Sequence, residues 1–574
     1  MIVMNRADKN IDTFEWQDAL QKNAVLLTVN QRLARHYHSM YQDWRMSQGA
    51  VSWETPQILP LDAWLAQLHQ LAVAQSLSKK VLLHDLAARQ LWRQCIEWDL
   101  THYRGNDALV SLLNVDAAAA EAGKAWSIEH QWQVNVPNDT PLSKDQCAYA
   151  RWRKRYQRRC LEEGWIDSSM LGLHVVELLR APSGLDIPQH VLTAGFLSIN
   201  PLQQMLLEQL TKNGIQCDDI PLLGREPQNC CQSIYDGGAE ELASVAARCR
   251  RLLEASPTCR MGVVVPALAM RRQALVRAFD AEFFPGLNPE QIMAIGRPYD
   301  VSLGVPLLEL PPIRAAITSL QFLIAGLDSS AVSQWLVSPY LIDATGQAVA
   351  RRRLDQALRR ESLQRYTLTT WHPAKGDSAL VRAIAAVGKL QVRSSKTLSD
   401  YADFFSKVLE ALGWPGHSLG SEEFQAVQVW QSVLDDMQHV DDGSALSAPQ
   451  AFVELQRLCR DRVFQPESAR VPIQVMGRLE SHGLSFDALM LVGMDSAHWP
   501  PSTSANTFLP FSIQKEAGVP ESSKEHQLAL ARAELSFWQS AAKQVWFTSA
   551  RLREGQECST TDLLSAVALE RCDE

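Results

Sequence analysis

The sequence predicts an α/β protein with two parallel-sheet cores, each interrupted by a large helical insertion. Short apolar and β-branched segments, which are typical of buried strands, alternate with long amphipathic patterns that are typical of helices. The strand-like segments are concentrated near the start, the middle and the end of the 574-residue chain. Strands that are separated by helices form parallel sheets with right-handed crossovers. A chain of this length also exceeds the size at which a single core stops growing.

Six segments have the composition of buried strands, and each is followed by a turn residue or an amphipathic pattern. In chain order they are residues 24–29, 191–196, 261–265, 473–476, 488–492 and 545–548. Two long stretches between them have helical periodicity. The first spans residues 61–179 and is broken by Pro137 and Pro141, and the second spans residues 311–461 and is broken by Pro373, Pro415 and the turn at 441–444.

These patterns divide the chain into two cores and two insertions. We expect the first core at residues 1–80 and 180–230, with a helical insertion at residues 81–179. We expect the second core at residues 231–300 and 465–574, with a helical insertion at residues 301–464.

The composition excludes several classes of protein. Hydrophobic residues make up 46% of the chain and charged residues 21%, as in an ordinary globular protein. The net charge of −9 argues against a wholly basic nucleic-acid binder, although a local groove can be positive on an acidic protein. The eleven cysteines contain no C-x-x-C pair and fit free thiols in a reducing cytoplasm. Since no apolar run has the length of a membrane span, we expect a cytoplasmic protein without a membrane partner.

Tryptophan is unusually common, with 17 residues against 10 tyrosines. One interpretation is that large side chains fill the helical cores. The other is that some of them form a surface on which nucleobases stack.

Two basic stretches are candidates for contact with DNA. Residues 151–159 contain six cations and two aromatic residues in nine positions, and a second arginine cluster begins at residue 351. The candidate DNA-contacting residues are Arg151, Arg153, Lys154, Arg155, Arg158, Arg159, Arg351, Arg352 and Arg353. Two interpretations of the first stretch remain open. It is either a solvated face with ion pairs to Glu162 and Glu163, or a face that contacts phosphates in a salt-sensitive manner.

No motif for ATP hydrolysis or for nuclease chemistry is present. A phosphate-binding loop needs glycines, a lysine and then Ser or Thr. The two Gly-Lys pairs, at residues 123–124 and 388–389, are followed by Ala125 and Leu390. The string nearest to a PD-(D/E)XK nuclease motif, at residues 521–524, has the wrong spacing for a metal site. We therefore assign no catalytic, metal-binding or cofactor-binding residue and no cofactor, and the sequence leans against an enzyme.

One segment carries a resemblance to a known family. In residues 472–500, the turn Gly483-Leu484-Ser485-Phe486-Asp487 is followed by an apolar strand, by Gly493-Met494 and by Trp499-Pro500. This arrangement resembles motif V of the UvrD-type superfamily 1 helicases and the strand that follows it. Gly483, Leu484, Phe486 and Asp487 match the motif, whereas Ser485 replaces its glutamate.

Other segments are similar, in the expected order, to the AddB/RecC-like branch of that superfamily and to proteobacterial probable DNA repair proteins. They are residues 25–34, 53–64, 195–204, 261–266, 302–308 and 336–340. The resemblance covers nearly the whole chain and implies two RecA-like cores of the P-loop NTPase type, each with a helical insertion.

The departures from the family imply a helicase-like protein that does not hydrolyse ATP. No phosphate loop precedes Val25, and the stretch that resembles motif II reads Thr193-Ala194-Gly195-Phe196, without a carboxylate. Aligning motif VI on residues 538–548 places Ser540 where the family has an arginine. Phosphoryl transfer depends on these groups together, so their loss should abolish it.

The resemblance implies a role in DNA repair and recombination. The relatives carry a C-terminal PD-(D/E)XK nuclease domain, which we expect to be missing from this chain. The first hypothesis is a non-catalytic, helicase-like scaffold that binds DNA, as duplex ends or single strands, beside an active helicase or nuclease subunit in double-strand-break processing. The alternatives are the helicase-like part of a nuclease whose catalytic domain is absent from the chain, and a protein-interaction platform that does not bind DNA.

Overall fold

The protein is described by a computed structural model that covers residues 16–571 with short gaps. The gaps are residues 104, 106–113, 138, 182–184, 221–228, 289–290, 293–294, 362, 372–378, 391–395, 418, 440, 442, 444, 466–470, 554 and 568–569. The predicted helix break at Pro373 lies outside the described residues. The chain forms two compact units, one from residues up to 303 together with residues from 470 onwards, and the other from residues 304–469.

The first unit contains two large sheets, a small two-stranded sheet and most of the strands. As far as residue 219 the elements are α1 (Trp16–Gln21), β1 (Val25–Thr28), α2 (Gln31–Ser47), β2 (Gln57–Pro60), α3 (Leu61–Ala74), β3 (Val81–Leu82), α4 (Asp85–His102), α5 (Val115–Gln131), α6 (Lys144–Glu163), β4 (Trp165–Ile166), α7 (Ser168–Arg180), β5 (His190–Ala194), α8 (Pro201–Lys212) and β6 (Gln216–Asp219). The next elements are β7 (Asn229–Gly237), α9 (Gly238–Ala255), β8 (Met261–Val264), α10 (Leu268–Phe283) and β9 (Tyr299–Val301).

The second unit is mainly helical. Its elements are β10 (Val305–Pro306), α11 (Pro311–Ile324), β11 (Leu327–Asp328), α12 (Ser329–Leu336), α13 (Ala348–Glu361), β12 (Arg365–Tyr366), α14 (Ala379–Lys389), α15 (Leu398–Ala411), α16 (Ser421–His439), α17 (Ala448–Asp461) and β13 (Val463–Phe464). Aromatic side chains fill its interior, where the indole N–H of Trp335 donates to Ser319 and that of Trp414 donates to the carbonyl of Pro312.

The chain then returns to the first unit. The remaining elements are β14 (Ile473–Met476), β15 (Phe486–Val492), α18 (Phe511–Glu516), α19 (Lys524–Ser540), β16 (Ala542–Arg553), β17 (Gln556–Glu557) and β18 (Glu570–Arg571).

The first sheet has the strand order β2-β1-β5-β6, and all its pairs are parallel. Its strand β1 (VLLT) is buried at every position, which is typical of a parallel strand covered on both faces. Helices α4 to α7 lie between β2 and β5 in the chain, and α4, α5 and α6 form a separate hydrophobic core.

The second sheet is larger. Seven parallel strands follow the order β18-β7-β16-β15-β8-β14-β9, and β17 pairs antiparallel with β16. The chain segment of the second unit leaves after β9 and re-enters at β14. The prediction of an α/β protein with parallel sheets and helical insertions is therefore confirmed.

All six segments predicted as strands contain strands, namely β1, β5, β8, β14, β15 and β16. Among the strands of the two large sheets, β2, β6, β7, β9, β17 and β18 were not predicted. Within the described residues, none of the helices is both long and apolar enough to cross a membrane.

Candidate nucleic-acid interface

The first basic stretch lies on α6, which begins at a capping box and ends at a left-handed glycine. Ser143 and Gln146 cap each other's backbone N–H groups, and Gly164 follows the helix at φ +69°. Buried residues recur at the spacing of one helical face, and they are Ala148, Tyr149, Trp152, Tyr156 and Cys160. Because that face is occupied, the cations between these residues lie on its flanks or on the outer side of the helix.

Helix α4 covers the inner face of α6 and runs antiparallel to it. Near the middle of α6, Arg151 binds Asp99, which lies close to the end of α4. Further along α6, Tyr156 stacks on Trp92 with ring centroids 4.1 Å apart. The two helices therefore present neighbouring residues to solvent along one shared edge.

Arg151 is held by the fold. Its guanidinium donates two hydrogen bonds of 3.0 Å to the carboxylate of Asp99, which also accepts from the indole N–H of Trp152. The same guanidinium lies 3.9 Å above the ring of Tyr103. Asp99 is 5% exposed, so this ion pair is largely shielded from solvent.

Two further cations of α6 have carboxylate partners. Arg153 donates a 2.6 Å hydrogen bond to Glu129 on α5. Burial raises the pKa of Glu129, although Arg153 opposes that shift. Arg158 lies 3.7 Å from Glu162, and both side chains are more than half exposed, so this pair is weak.

The remaining cations have no carboxylate partner within the described residues. These are Lys154, which is exposed, and Arg155 and Arg159, which are partly buried. Arg155 places its guanidinium carbon 3.8 Å from the centre of the Trp98 ring. On the same helix as Trp98, the ring of His102 stacks on the indole, with centroids 4.8 Å apart and an interplanar angle of 9°.

We call the three planar groups of His102, Trp98 and Arg155 the α4–α6 stack. Trp98 is 40% exposed and His102 is exposed, so solvent reaches the stack. Sequence reasoning missed both α4 residues, because they are 49 or more positions from the basic stretch at residues 151–159. The i,i+4 spacing of Trp98 and His102 in a helical pattern was the available signal.

The two interpretations of the basic stretch thus apply to different residues. Arg151, Arg153 and Arg158 form ion pairs, and Glu162 is a partner as one interpretation proposed. Lys154, Arg155 and Arg159 are the cations that remain as candidates for phosphate contact.

The second basic stretch requires a correction at Arg351. This residue is 1% exposed, and its guanidinium donates to the backbone carbonyls of Leu336, Ser338 and Ile342. It closes a turn inside the second unit, and its charge is not presented to a ligand. Arg352 and Arg353 are exposed on the outer side of α13.

The turn that resembles motif V lies at the start of β15. Gly483 has φ +81°, and a Cβ added there would lie 2.6 Å from Cδ2 of Leu33 and 3.1 Å from Cα of Gly195. Leu484 and Phe486 are buried, and the carboxylate of Asp487 accepts from the backbone N–H of Arg260. These four residues therefore shape a tight turn and anchor the neighbouring strand β8.

The structure brings this turn against the one that resembles motif II. Gly195 follows β5 of the first sheet at φ +83°, and Leu33 of α2 lies against both glycines. Asn30 caps α2 by accepting from the backbone N–H of Leu33 and donates to the carbonyl of Leu479. The backbone N–H of Leu33 at this helix N-terminus is therefore already hydrogen bonded. The side chain of the same Leu33 lies between the two facing turns.

A third group was not predicted from the sequence. At the carboxyl ends of β15 and β16, the buried carboxylate of Glu241 accepts from Arg271, Arg553, Thr548 and the backbone N–H of Gly493. Burial would raise the pKa of Glu241, but the two guanidinium groups outweigh it, and the pKa is lowered. Arg553 also pairs with Asp495. Because each carboxylate here is matched by a cation, the group ties together α9, α10 and the second sheet.

Within the described residues, no cluster of three or more His, Cys, Asp or Glu side chains could hold a metal ion. A scan against protein-family models finds no matching family, and a search of curated proteins finds no match.

Proposed function

We propose that this protein is a helicase-like, non-catalytic nucleic-acid-binding scaffold that acts in the processing of DNA ends. The observation that carries the proposal is the outer edge of α4 and α6. There Lys154, Arg155 and Arg159 lie beside exposed aromatic rings, and none of them has a carboxylate partner among the residues that the structure describes. Cations that are not neutralised by the fold can displace counterions from phosphates.

The non-catalytic part of the proposal is supported by the facing turns. A nucleotide bound between two such cores needs free backbone N–H groups and space for phosphates. Here Asn30 caps α2, and Leu33 lies within contact distance of both turns. The helicase-like part is supported by the order of the resembling segments and by the parallel α/β architecture of both sheets.

A salt titration tests whether this edge binds DNA. Binding of the full chain to a blunt 30-base-pair duplex and to a 30-nucleotide strand is measured by fluorescence anisotropy between 50 and 300 mM salt, about the range in which counterion release dominates. We expect the Lys154→Gln/Arg159→Gln variant to bind more weakly, and the slope of log K against log salt to fall by about 1–2.

The matched control is Arg251→Gln/Arg277→Gln, which removes two exposed cations from α9 and α10. We expect it to leave the affinity and the slope close to those of the unmodified protein. Equal affinities for all three proteins would exclude the α4–α6 edge. Absence of salt-dependent binding by the unmodified protein would favour a protein-interaction platform.

A further inference from the structure

We propose that the α4–α6 stack is a docking site for an unpaired nucleobase, and that the preferred ligand of this edge is therefore single-stranded nucleic acid. This inference rests on the proposed function and specifies its ligand. It is argued from the arrangement of His102, Trp98 and Arg155, which are contributed by two helices.

The two rings of the α4–α6 stack lie nearly parallel, as stacked nucleobases do. His102 and Trp98 are nearly parallel, with an interplanar angle of 9°, and the guanidinium of Arg155 lies over the indole ring. Planar π systems and guanidinium groups are the side chains on which bases stack. His102 and Arg155 lie against the indole of Trp98, so a further planar group stacks on an outer face of this arrangement, where His102 is exposed to solvent.

Alternative partners fit this edge less well. The faces of bases inside a duplex are covered by their neighbours, so a continuous duplex offers only phosphates and groove edges to a flat ring. A protein partner would be expected at a patch whose centre lacks charged residues other than arginine, whereas Lys154 lies at this edge. Here the rings are flanked by cations, and an unpaired base on a polyanionic strand complements both features.

The cations lie where a strand that leaves the stack would pass. Arg155 and Arg159 are one turn apart on α6, which is about 6 Å along the helix axis. Lys154 and Arg158 lie beside them on the exposed side. A base that stacks on an outer face of the α4–α6 stack therefore places its backbone next to a short row of cations.

The test uses the full-length protein and four 20-nucleotide probes: a DNA strand of mixed sequence, the same strand with abasic residues throughout, the RNA strand of the same sequence, and the blunt DNA duplex. Anisotropy gives the affinities, and a DNA strand with a central 2-aminopurine reports stacking through fluorescence quenching. The variants are Trp98→Ala and Trp98→Phe, with Phe424→Ala as a control that removes another exposed aromatic side chain.

We expect Trp98→Ala to weaken binding of the normal DNA strand by roughly 5- to 150-fold and to abolish the quenching. Trp98→Phe should retain most of the affinity and most of the quenching. Phe424→Ala should leave the affinity and the quenching unchanged. The abasic strand should bind the unmodified protein about as weakly as the normal strand binds Trp98→Ala. If the RNA strand binds as the DNA strand does, the site recognises unpaired bases on either sugar; if it binds more weakly, the ligand is single-stranded DNA.

Two results overturn the inference. One is equal binding of the normal and abasic strands by the unmodified protein, and the other is unchanged affinity and quenching in Trp98→Ala. If either occurs while Lys154→Gln/Arg159→Gln still weakens binding, the proposed function stands and only the base-docking site is excluded. If the unmodified protein binds none of the probes, both proposals fail.

Discussion

At the scale of single residues, Gly195 and Gly483 allow the two sheets of the first unit to approach each other closely. Each has a positive φ and lies against Leu33, and an added Cβ at Gly483 would lie 3.1 Å from Cα of Gly195. A side chain at either position would meet backbone or a buried leucine. The tolerance for substitution should therefore be lower here than at other left-handed glycines.

We predict that Gly483→Ala lowers the free energy of unfolding by about 2–4 kcal/mol. About 1–2 kcal/mol comes from the left-handed backbone, and the rest comes from the overlap with Leu33 and Gly195. Gly214→Ala is the control, since Gly214 has φ +82° but no atom within 4 Å of the added Cβ. Urea unfolding measures both. Equal losses in the two variants would show that the close approach contributes nothing.

His174 gives the protein a predicted sensitivity to acid. Burial, with smaller contributions from Lys80 and His69, lowers the pKa of His174 from 6.5 to about 4. Below pH 6.5 the unfolded chain therefore binds a proton that the folded protein does not bind until about pH 4. Stability should fall as the pH decreases between these values, by at most about 1.4 kcal/mol per pH unit.

We predict that His174→Gln reduces this slope, because glutamine does not titrate and can still hydrogen bond to the hydroxyl of Ser78. The slope should not vanish, since burial also lowers the pKa of His69. The midpoint of urea unfolding is measured from pH 4.5 to 7.5, with His102→Gln as an exposed control. An unchanged slope in His174→Gln would rule out this residue as the source.

At the scale of elements, the pairing of α4 and α6 depends on Asp99. Its carboxylate binds the guanidinium of Arg151 and the indole N–H of Trp152. Removing it would leave a buried donor and a partly buried cation without partners, which is costly in a protein interior. Some cations of α6 therefore stabilise the fold through ion pairs, whereas others lie at its surface and are available to a ligand.

We predict that Asp99→Ala lowers the free energy of unfolding by about 2–4 kcal/mol. Glu162→Ala, which breaks the exposed pair with Arg158, should cost less than about 0.5 kcal/mol and serves as the control. Chemical denaturation followed by circular dichroism compares the two. Similar small losses in both variants would mean that the buried pair does not hold α4 on α6.

The strands show which parts of the fold can be predicted from a sequence. The predicted ones are nearly continuous apolar segments, such as β8 (MGVV), because they are covered on both faces of a parallel sheet. Those that were missed contain polar residues. Strand β6 reads QCDD, and within the described residues it pairs with β5 alone, so its side chains partly face solvent.

The candidate site could be predicted only in part, for a related reason. A sequence shows which residues carry charge, but not which charges the fold neutralises. Arg351 and Arg352 are adjacent, yet the buried Arg351 binds three backbone carbonyls and Arg352 is exposed. The rings of Trp98 and His102 belong to another helix, and only tertiary packing brings them to Arg155.

At the scale of the whole molecule, the first unit combines two parallel sheets whose facing turns are filled by protein side chains. Helix α2 belongs to the first sheet, and its Arg32 binds Asp300 and Gln474, which belong to the second sheet. Its Leu33 lies between Gly195 and Gly483. Side chains of α2 thus join the two sheets at the point where the turns at Gly195 and Gly483 meet.

We predict that the protein neither binds nor hydrolyses Mg·ATP. The reason is local. Asn30 caps the N-terminus of α2, and Leu33 lies between the turns at Gly195 and Gly483. Calorimetric titration with Mg·ATP should show no saturable heat. Phosphate release in the presence of single-stranded DNA should equal that of heat-inactivated protein. Hydrolysis that DNA stimulates above this background would require the facing turns to separate in solution, and it would replace the scaffold proposal with that of a motor.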